Sequence, residues 1–259
     1  MDLFEKRAPM NAEDSSGSTG EMKKAQYMLQ LLGTPWDADT LKCIITAAEQ
    51  GMEMRTGYLD TLNGEQDLLA YRDIFEFGTY PGLKEADYNV AGANGIMAFI
   101  NARGLGYSLV PKNVTEAATQ DFWIDIAITE VTPHVNTLVQ EQIVKPSANT
   151  SYSTDNVACS QAKEQLSLVL DALDKQLMDK AYIISKYSFA DIHWTAVIHL
   201  LMLTDAADMV NQRSHILRWY KALALRKSNC GQDIVSFSLL PNLGNILRRE
   251  LSSVVIKDF

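Results

Sequence analysis

Between Ala190 and Thr204 the chain reads Ala-Asp-Ile-His-Trp-Thr-Ala-Val-Ile-His-Leu-Leu-Met-Leu-Thr, and Ile192 to Met202 is apolar on nearly every side of a helix. Such a helix has no face to give to water and belongs inside a domain. Asp191, His193 and His199 interrupt the run, which falls well short of the ~20 clean residues that a bilayer span requires. Protein therefore has to enclose it. The flanking sequence supplies helices for this. One passes through Asp121, Phe122, Trp123 and Ile124 and reaches about Gln142. Leu166, Val169, Leu170, Leu173 and Leu177 share a face on a second, and Ile216 to Leu225 forms a third. Lys145 to Asn156 is a polar loop, and a tail punctuated by Gly and Pro begins near Cys230.

The front half reads differently, because short strand signals alternate with helices. Gln26 to Leu32 is a buried strand ending at Gly33. Thr34-Pro35-Trp36-Asp37 then opens a helix, with Thr34 as its cap, Pro35 in the first helical position and Asp37 three residues after the cap. Leu41, Ile44, Ile45 and Ala48 line one face of it, and it ends near Gly51. A second strand follows over Met52 to Tyr58, then a short helix within Asn63 to Tyr71. After Gly78-Thr79-Tyr80-Pro81-Gly82 come brief strands at Leu83–Ala86 and Tyr88–Ala91, then a small-residue helix from Gly92 to Ala102. The pattern breaks at Arg103-Gly104-Leu105-Gly106. These signals divide the chain into a tail (1–24), a first domain (25–104), an all-helical domain (105–240) and a C-terminal tail (241–259).

A net charge of −9 and a pI near 4.9 exclude nucleic acid and an anionic membrane surface as main partners. Cys43, Cys159 and Cys230 are scattered and form no CxxC pair, so a cytoplasmic or other reducing intracellular compartment is expected. Met1 to Gly20 lacks the apolar core of a secretory signal. The sequons at Asn113 and Asn149 carry no weight in a chain that is not secreted. A soluble protein without a membrane span is expected.

Ser188 can accept a hydrogen bond from the amide three residues on, while Asp191 reaches back to the Ser188 amide. Removing one half of such a box costs about 0.5–2 kcal/mol. Ser188-Phe189-Ala190-Asp191-Ile192 resembles the Ser-x-Ala-Asp-Ile box of the glutathione transferase superfamily, at the head of that family's central buried helix. Tyr80-Pro81 is similar to its cis-proline before the third strand. Gly92-Ala93-Asn94-Gly95-Ile96, followed by Phe99-Ile100, is similar to its Glu-Ser-Asn-Ala-Ile segment. Trp123 and Trp219-Tyr220 stand where the family often places aromatics. The resemblance covers about residues 26–228 and implies an α/β thioredoxin-like domain followed by an all-α helical-bundle domain.

The resemblance also implies a cleft for glutathione, with Tyr80, Pro81, Gly92, Ala93 and Asn94 as its cradle. The family's γ-glutamyl-binding acid and hydroxyl are replaced here by Gly92-Ala93. The Tyr, Ser or Cys that its members place between the first strand and helix is missing, leaving Thr34 and Thr40 as the only hydroxyls in that stretch. Asp37 and Asp39 would oppose a thiolate there. Cys43 reads as packed, and no pair of histidines among His134, His193, His199 and His215 has metal-ligand spacing. Two expectations follow. One is a non-catalytic binding or assembly component, as a homodimer or within a protein assembly. The other is a glutathione-dependent transferase or reductase acting on a small electrophile.

Overall fold

The computed structural model describes residues 29–226. The expected tails at 1–24 and 241–259, the first residues of the Gln26–Leu32 strand and the Gly/Pro-punctuated stretch from Cys230 lie outside the described residues.

Four strands form one sheet in the order β2-β1-β3-β4. β1 (Leu29–Gly33) pairs in parallel with β2 (Met54–Tyr58) and antiparallel with β3 (Gly82–Glu85), which pairs antiparallel with β4 (Tyr88–Ala91). The crossover from β1 to β2 is made by α1 (Ala38–Glu49), as a parallel connection requires. Alternation along β1 sends Leu29 and Leu31 into the main core and Leu32 to a smaller cluster with Leu59, Tyr71 and Phe75 on the other face. The polar stretch before β3 holds a tight turn at Glu65–Asp67 and the four-residue α2 (Leu69–Arg72). After β4, α3 (Ala93–Arg103) packs beside α1 on the sheet.

Only helices follow within the described residues. α4 (Val114–Ile126), α5 (Thr132–Val139) and α6 (Lys145–Ala148) make one continuous run, joined by wider π turns at Ala127–Val131 and Gln140–Val144. Each π turn lies just before a proline, Pro133 or Pro146. A proline has no amide to give the ladder and crowds the preceding turn, so the spacing widens there. The Ala127 carbonyl accepts the Thr132 amide across the wide turn and Thr132 Oγ1 as well, the latter at 2.7 Å. The helix expected to end near Gln142 thus runs to Ala148, and the polar loop shrinks accordingly. That loop is held down by buried Glu141, which accepts from Tyr152 OH at 2.6 Å and from the Asp155 amide at 2.9 Å.

α7 (Asn156–Gln176), α8 (Phe189–Met202), α9 (Ala207–Asn211) and α10 (Ser214–Ala224) complete the helical half. α8 is its axis: Ile192, Trp194, Ala196, Val197, Ile198, Leu200 and Leu201 are all fully buried. It packs on α1 as well as on α4, α5 and α10, so one core runs through both halves. The architecture is the thioredoxin-like sheet and helical bundle that the resemblance implied.

The box at the head of α8 is formed, and it does more than cap a helix. Asp191 is fully buried. Its Oδ2 accepts from the Ser188 amide at 3.1 Å and from Ser188 Oγ at 3.4 Å. Its Oδ1 accepts from the Ile183 amide and from Trp219 Nε1, each at 3.0 Å. One carboxylate therefore joins α8, the segment before it and α10. Asp191→Ala would strand several buried donors, each costing about 1–3 kcal/mol. We expect a loss of about 3–5 kcal/mol, above the single-cap figure, read from urea midpoints. Ser188→Ala should cost only about 0.5–2 kcal/mol.

Candidate functional site

The sheet register decides where a site can form. Leu32 stands opposite Gly82, and Gly82 opposite Ala91. The end of β1, the start of β3 and the end of β4 therefore share one edge, and the heads of α1 and α3 rise from it side by side. Between them lies Tyr80-Pro81, whose peptide bond is cis. The Gly92 amide donates to the Pro81 carbonyl at 2.8 Å, tying the head of α3 to this turn. Behind it, buried Tyr71 donates its hydroxyl to the Thr79 carbonyl at 2.9 Å. The structure thus brings Tyr80, Pro81, Gly92, Ala93 and Asn94 together at one edge with Thr34.

The α3 side of this cleft is bare. Gly92 has φ +85°, and no side chain caps the helix. Ala93 is buried and Asn94 exposed. What remains is a row of backbone amides that can donate to an anion, with no carboxylate to hold an ammonium group. A Cβ at Gly92 would meet nothing nearer than Thr79 Cγ2 at 3.8 Å, but any L residue there would be strained by its φ.

The α1 side carries acids. The helix is capped by Asp37 and not by Thr34, so the expected register of its start was three residues early. Asp37 Oδ2 accepts from the Thr40 amide and from Thr40 Oγ1, both at 2.8 Å. Thr40 lies inside the first turn, is buried, and its Oγ1 also accepts from the Thr34 amide at 3.2 Å. Its hydroxyl is fully committed within the turn. Thr34 is 1% exposed, and its hydroxyl has no partner.

Desolvation, then the neighbouring Asp39 charge, pushes the Asp37 carboxyl up from 3.8 to about 6. Burial, then Asp39 and Asp37, raises the thiol of buried Cys43 well above its ordinary value. Burial followed by the same two acids also raises the Tyr80 phenol. A second thiol delivered here would meet the same field.

Two features were not legible in sequence. Lys42 is buried at 1% exposure and gives its ammonium to Asp39 at 2.6 Å. His193, across the contact from α1 to α8, is pushed down to about 3 by burial and then by Lys42, so it is neutral. His199 shares a 2.8 Å hydrogen bond with Tyr220, while His134 and His215 lie elsewhere in the bundle. Trp36 is half-buried against the main core. Among the described residues no group of three His, Cys, Asp or Glu could hold a metal ion.

Two variants check this geometry. Thr40→Val should cost about 1–3 kcal/mol of stability, because it strands the Thr34 amide and removes the hydroxyl bond to Asp37 while keeping the amide bond, whereas Thr34→Val should be near neutral. The second concerns pH. A folded carboxyl near 6 against an unfolded one near 3.8 means the folded state holds the extra proton in between. The stability contributed by Asp37 therefore falls as pH rises from about 4 to about 6. Asp37→Asn, which keeps an acceptor for Thr40, should remove Asp37's share of the slope and leave that of Asp191, whose carboxyl burial also raises to about 6. At pH 7.5 it should raise stability by on the order of 1–2 kcal/mol, read from urea midpoints across the pH range.

Comparison with known proteins agrees with this architecture. No family model matches the chain. It is 25% identical to glutathione S-transferase F14 of Arabidopsis thaliana over 185 residues, covering 69% of this chain and 72% of that protein. It is 24% identical to glutathione S-transferase F9 of the same plant over 196 residues, covering 74% of this chain and 90% of the relative. The crystal structure of glutathione transferase F7 from Populus trichocarpa superposes with a TM-score of 0.72 at 26% identity, over 81% of this chain and 99% of that one. With the α8 box, the cis-proline turn and the sheet order, these similarities give the chain the glutathione-transferase fold and support a distant relationship to that superfamily.

Proposed function

We propose that this protein has kept the glutathione-transferase fold without its standard thiol chemistry and works as a non-catalytic binding or assembly component. The observation that carries this reading is the α1 head: its one free hydroxyl, on Thr34, is buried, and its first residues carry the carboxylates of Asp37 and Asp39, whose charge raises the Tyr80 phenol. A site for a thiolate needs a donor there, and acids act in the opposite direction. Gly92-Ala93 supports the same reading, since neither offers the acid or hydroxyl that would hold a γ-glutamyl end.

The second reading, a glutathione-dependent transferase acting on a small electrophile, is favoured by the cis Tyr80-Pro81 turn and the uncapped amides of α3, and by the relatives' names. Its cradle would be Tyr80, Pro81, Gly92, Ala93 and Asn94, with Thr34 in place of the usual donor. In either reading the chain divides into domains 25–104 and 105–240. A reducing compartment is supported by Cys43 and Cys159, which are free and buried. Among the described residues no helix is long and apolar enough to cross a membrane.

A homodimer is part of the proposal. Phe77 is held at φ +69° and is 79% exposed, and Leu68 and Leu69 of the same connection are exposed as well. Neither backbone preference nor burial accounts for an aromatic ring in that position, whereas a contact with a second copy would. Phe77→Ser should then shift the protein from dimer to monomer by light scattering. An unchanged dimer would remove Phe77 from the interface.

Glutathione should bind with a dissociation constant on the order of millimolar or weaker. Each charge-assisted bond lost at the γ-glutamyl end forfeits about 1.5–3 kcal/mol, and two such losses take a micromolar site to that range. Calorimetry decides: tight binding by the unmodified protein would overturn the non-catalytic reading. Gly92→Glu with Ala93→Ser should strengthen binding by less than two full bonds, because the new side chain at 92 inherits a φ of +85°.

A further inference from the structure

Leu105 and Tyr107 are the most exposed large apolar residues among those described, at 97% and 95%. Their backbone is nonetheless fixed. The Leu105 amide donates to the Gln50 carbonyl at 3.2 Å, and the Tyr107 carbonyl accepts from Gln50 Nε2 at 2.9 Å. Between them, Gly106 lies so close to the end of α1 that a Cβ there would fall 2.6 Å from the Glu49 carbonyl oxygen. The two side chains flanking this glycine are thus held at set positions with no described residue over them. Single apolar residues scattered over a surface need no explanation. Two so fully exposed on a fixed backbone, with Val110 and Val114 exposed in the same stretch, make a patch that calls for a cover.

The described chain ends beside this patch. Arg226 donates through Nε and Nη2 to the two carboxylate oxygens of Glu49 at 2.6 and 2.7 Å, and its guanidinium lies 3.9 Å from the centroid of the Tyr187 ring. Glu49 therefore holds Arg226 through its side chain and crowds Gly106 through its carbonyl. Residues 227–259 start from that point, next to Leu225, which is exposed as well. Their sequence is suited to the patch. Leu243, Ile246, Leu247 and Leu251 recur three or four residues apart, the spacing that gathers apolar side chains on one side of a helix, with Asn245, Arg248 and Arg249 between them. The intervening residues 227–242 could span roughly 50 Å if extended, far more than a return to the joint needs. A tethered segment also meets the patch at an effective concentration on the order of millimolar, which any other molecule has to match.

We propose that segment 243–251 of this same chain docks on the joint between the two halves, laying Leu243, Ile246, Leu247 and Leu251 over Leu105, Tyr107 and Leu225. The clamp of Arg226 on Glu49 aims it there. This goes beyond the reading of the cleft and does not depend on it.

Trypsin cleavage after Arg248 and Arg249 reads the contact, because cleavage follows the population in which the segment is released. Full-length protein and a synthetic peptide of residues 239–255 are digested briefly and followed by mass spectrometry, with light scattering on each protein. The protein should be cut at least about tenfold more slowly than the peptide. Leu105→Asp combined with Tyr107→Asp should bring its rate up towards that of the peptide. Leu243→Asp, which alters no described residue, should do the same, and Leu168→Asp, at an exposed position on α7, should not. The oligomeric state should stay the same throughout. Cleavage of the unmodified protein at the peptide's rate, protection that survives Leu105→Asp with Tyr107→Asp, or protection lost equally in Leu168→Asp would overturn the proposal. Protection lost together with a shift from dimer to monomer would overturn it as well, and would give the patch to a second copy.

Discussion

A single buried carboxylate holds the helical half in register. Asp191 accepts from Ile183 and Ser188 of the segment leading into α8 and from Trp219 of α10, and it is itself out of reach of water. Burial raises its carboxyl to about 6 even though every one of these bonds favours the charged form. A group so placed contributes specificity more than net stability: its removal is costly, yet its presence is nearly balanced by its own desolvation. Its position also fixes α8, and α8 is the surface on which α1 rests. The cleft is therefore positioned by an interaction in the opposite half of the molecule.

Sequence made much of this architecture readable, for identifiable reasons. α8 is apolar on nearly all sides and its capping box spans only the four residues Ser188 to Asp191, so local composition alone marks both helix and cap. The strands of the front half are bounded by Gly and Pro, and their observed limits differ from expectation by a residue or two. The head of α1 was misjudged because Thr34-Pro35 has the form of a cap followed by a first-turn proline. In the fold Thr34 turns inward beneath Thr40, and Asp37 takes the cap. α9 was missed because five residues give too little periodicity to detect. The π turns depend on where Pro133 and Pro146 fall within a long helical run, which a period of 3.6 does not register.

The site was less legible than the fold. Lys42 reads as a surface lysine in any window, and only the packing of α1 on α8 buries it. Thr34 and Thr40 look equivalent in sequence, yet one hydroxyl is locked into the helix start and the other is left without a partner. The effect of Asp37 and Asp39 on a thiol was legible, because carboxylates at a helix start act over short range whatever the tertiary contacts. Their convergence with Tyr80 depends on the sheet register and was not.

The passage between the halves is closed around one side chain. Gln50 donates through Nε2 to Asn101 Oδ1 at 3.2 Å and to the Tyr107 carbonyl at 2.9 Å, and its own carbonyl accepts the Leu105 amide at 3.2 Å. A Cβ at Gly104 would fall 2.3 Å from Gln50 Cβ, and one at Gly106 would fall 2.6 Å from the Glu49 carbonyl oxygen. The joint is therefore a fitted part shared by α1 and the segment after α3. Exchanging the helical half for that of a relative would fail at a crossover placed between Gly104 and Gly106. A working chimera has to inherit Gln50, Asn101 and the glycines from the same parent, so the natural unit of recombination reaches back at least to the C-terminal end of α1 and ignores the boundary visible in the order of strands and helices.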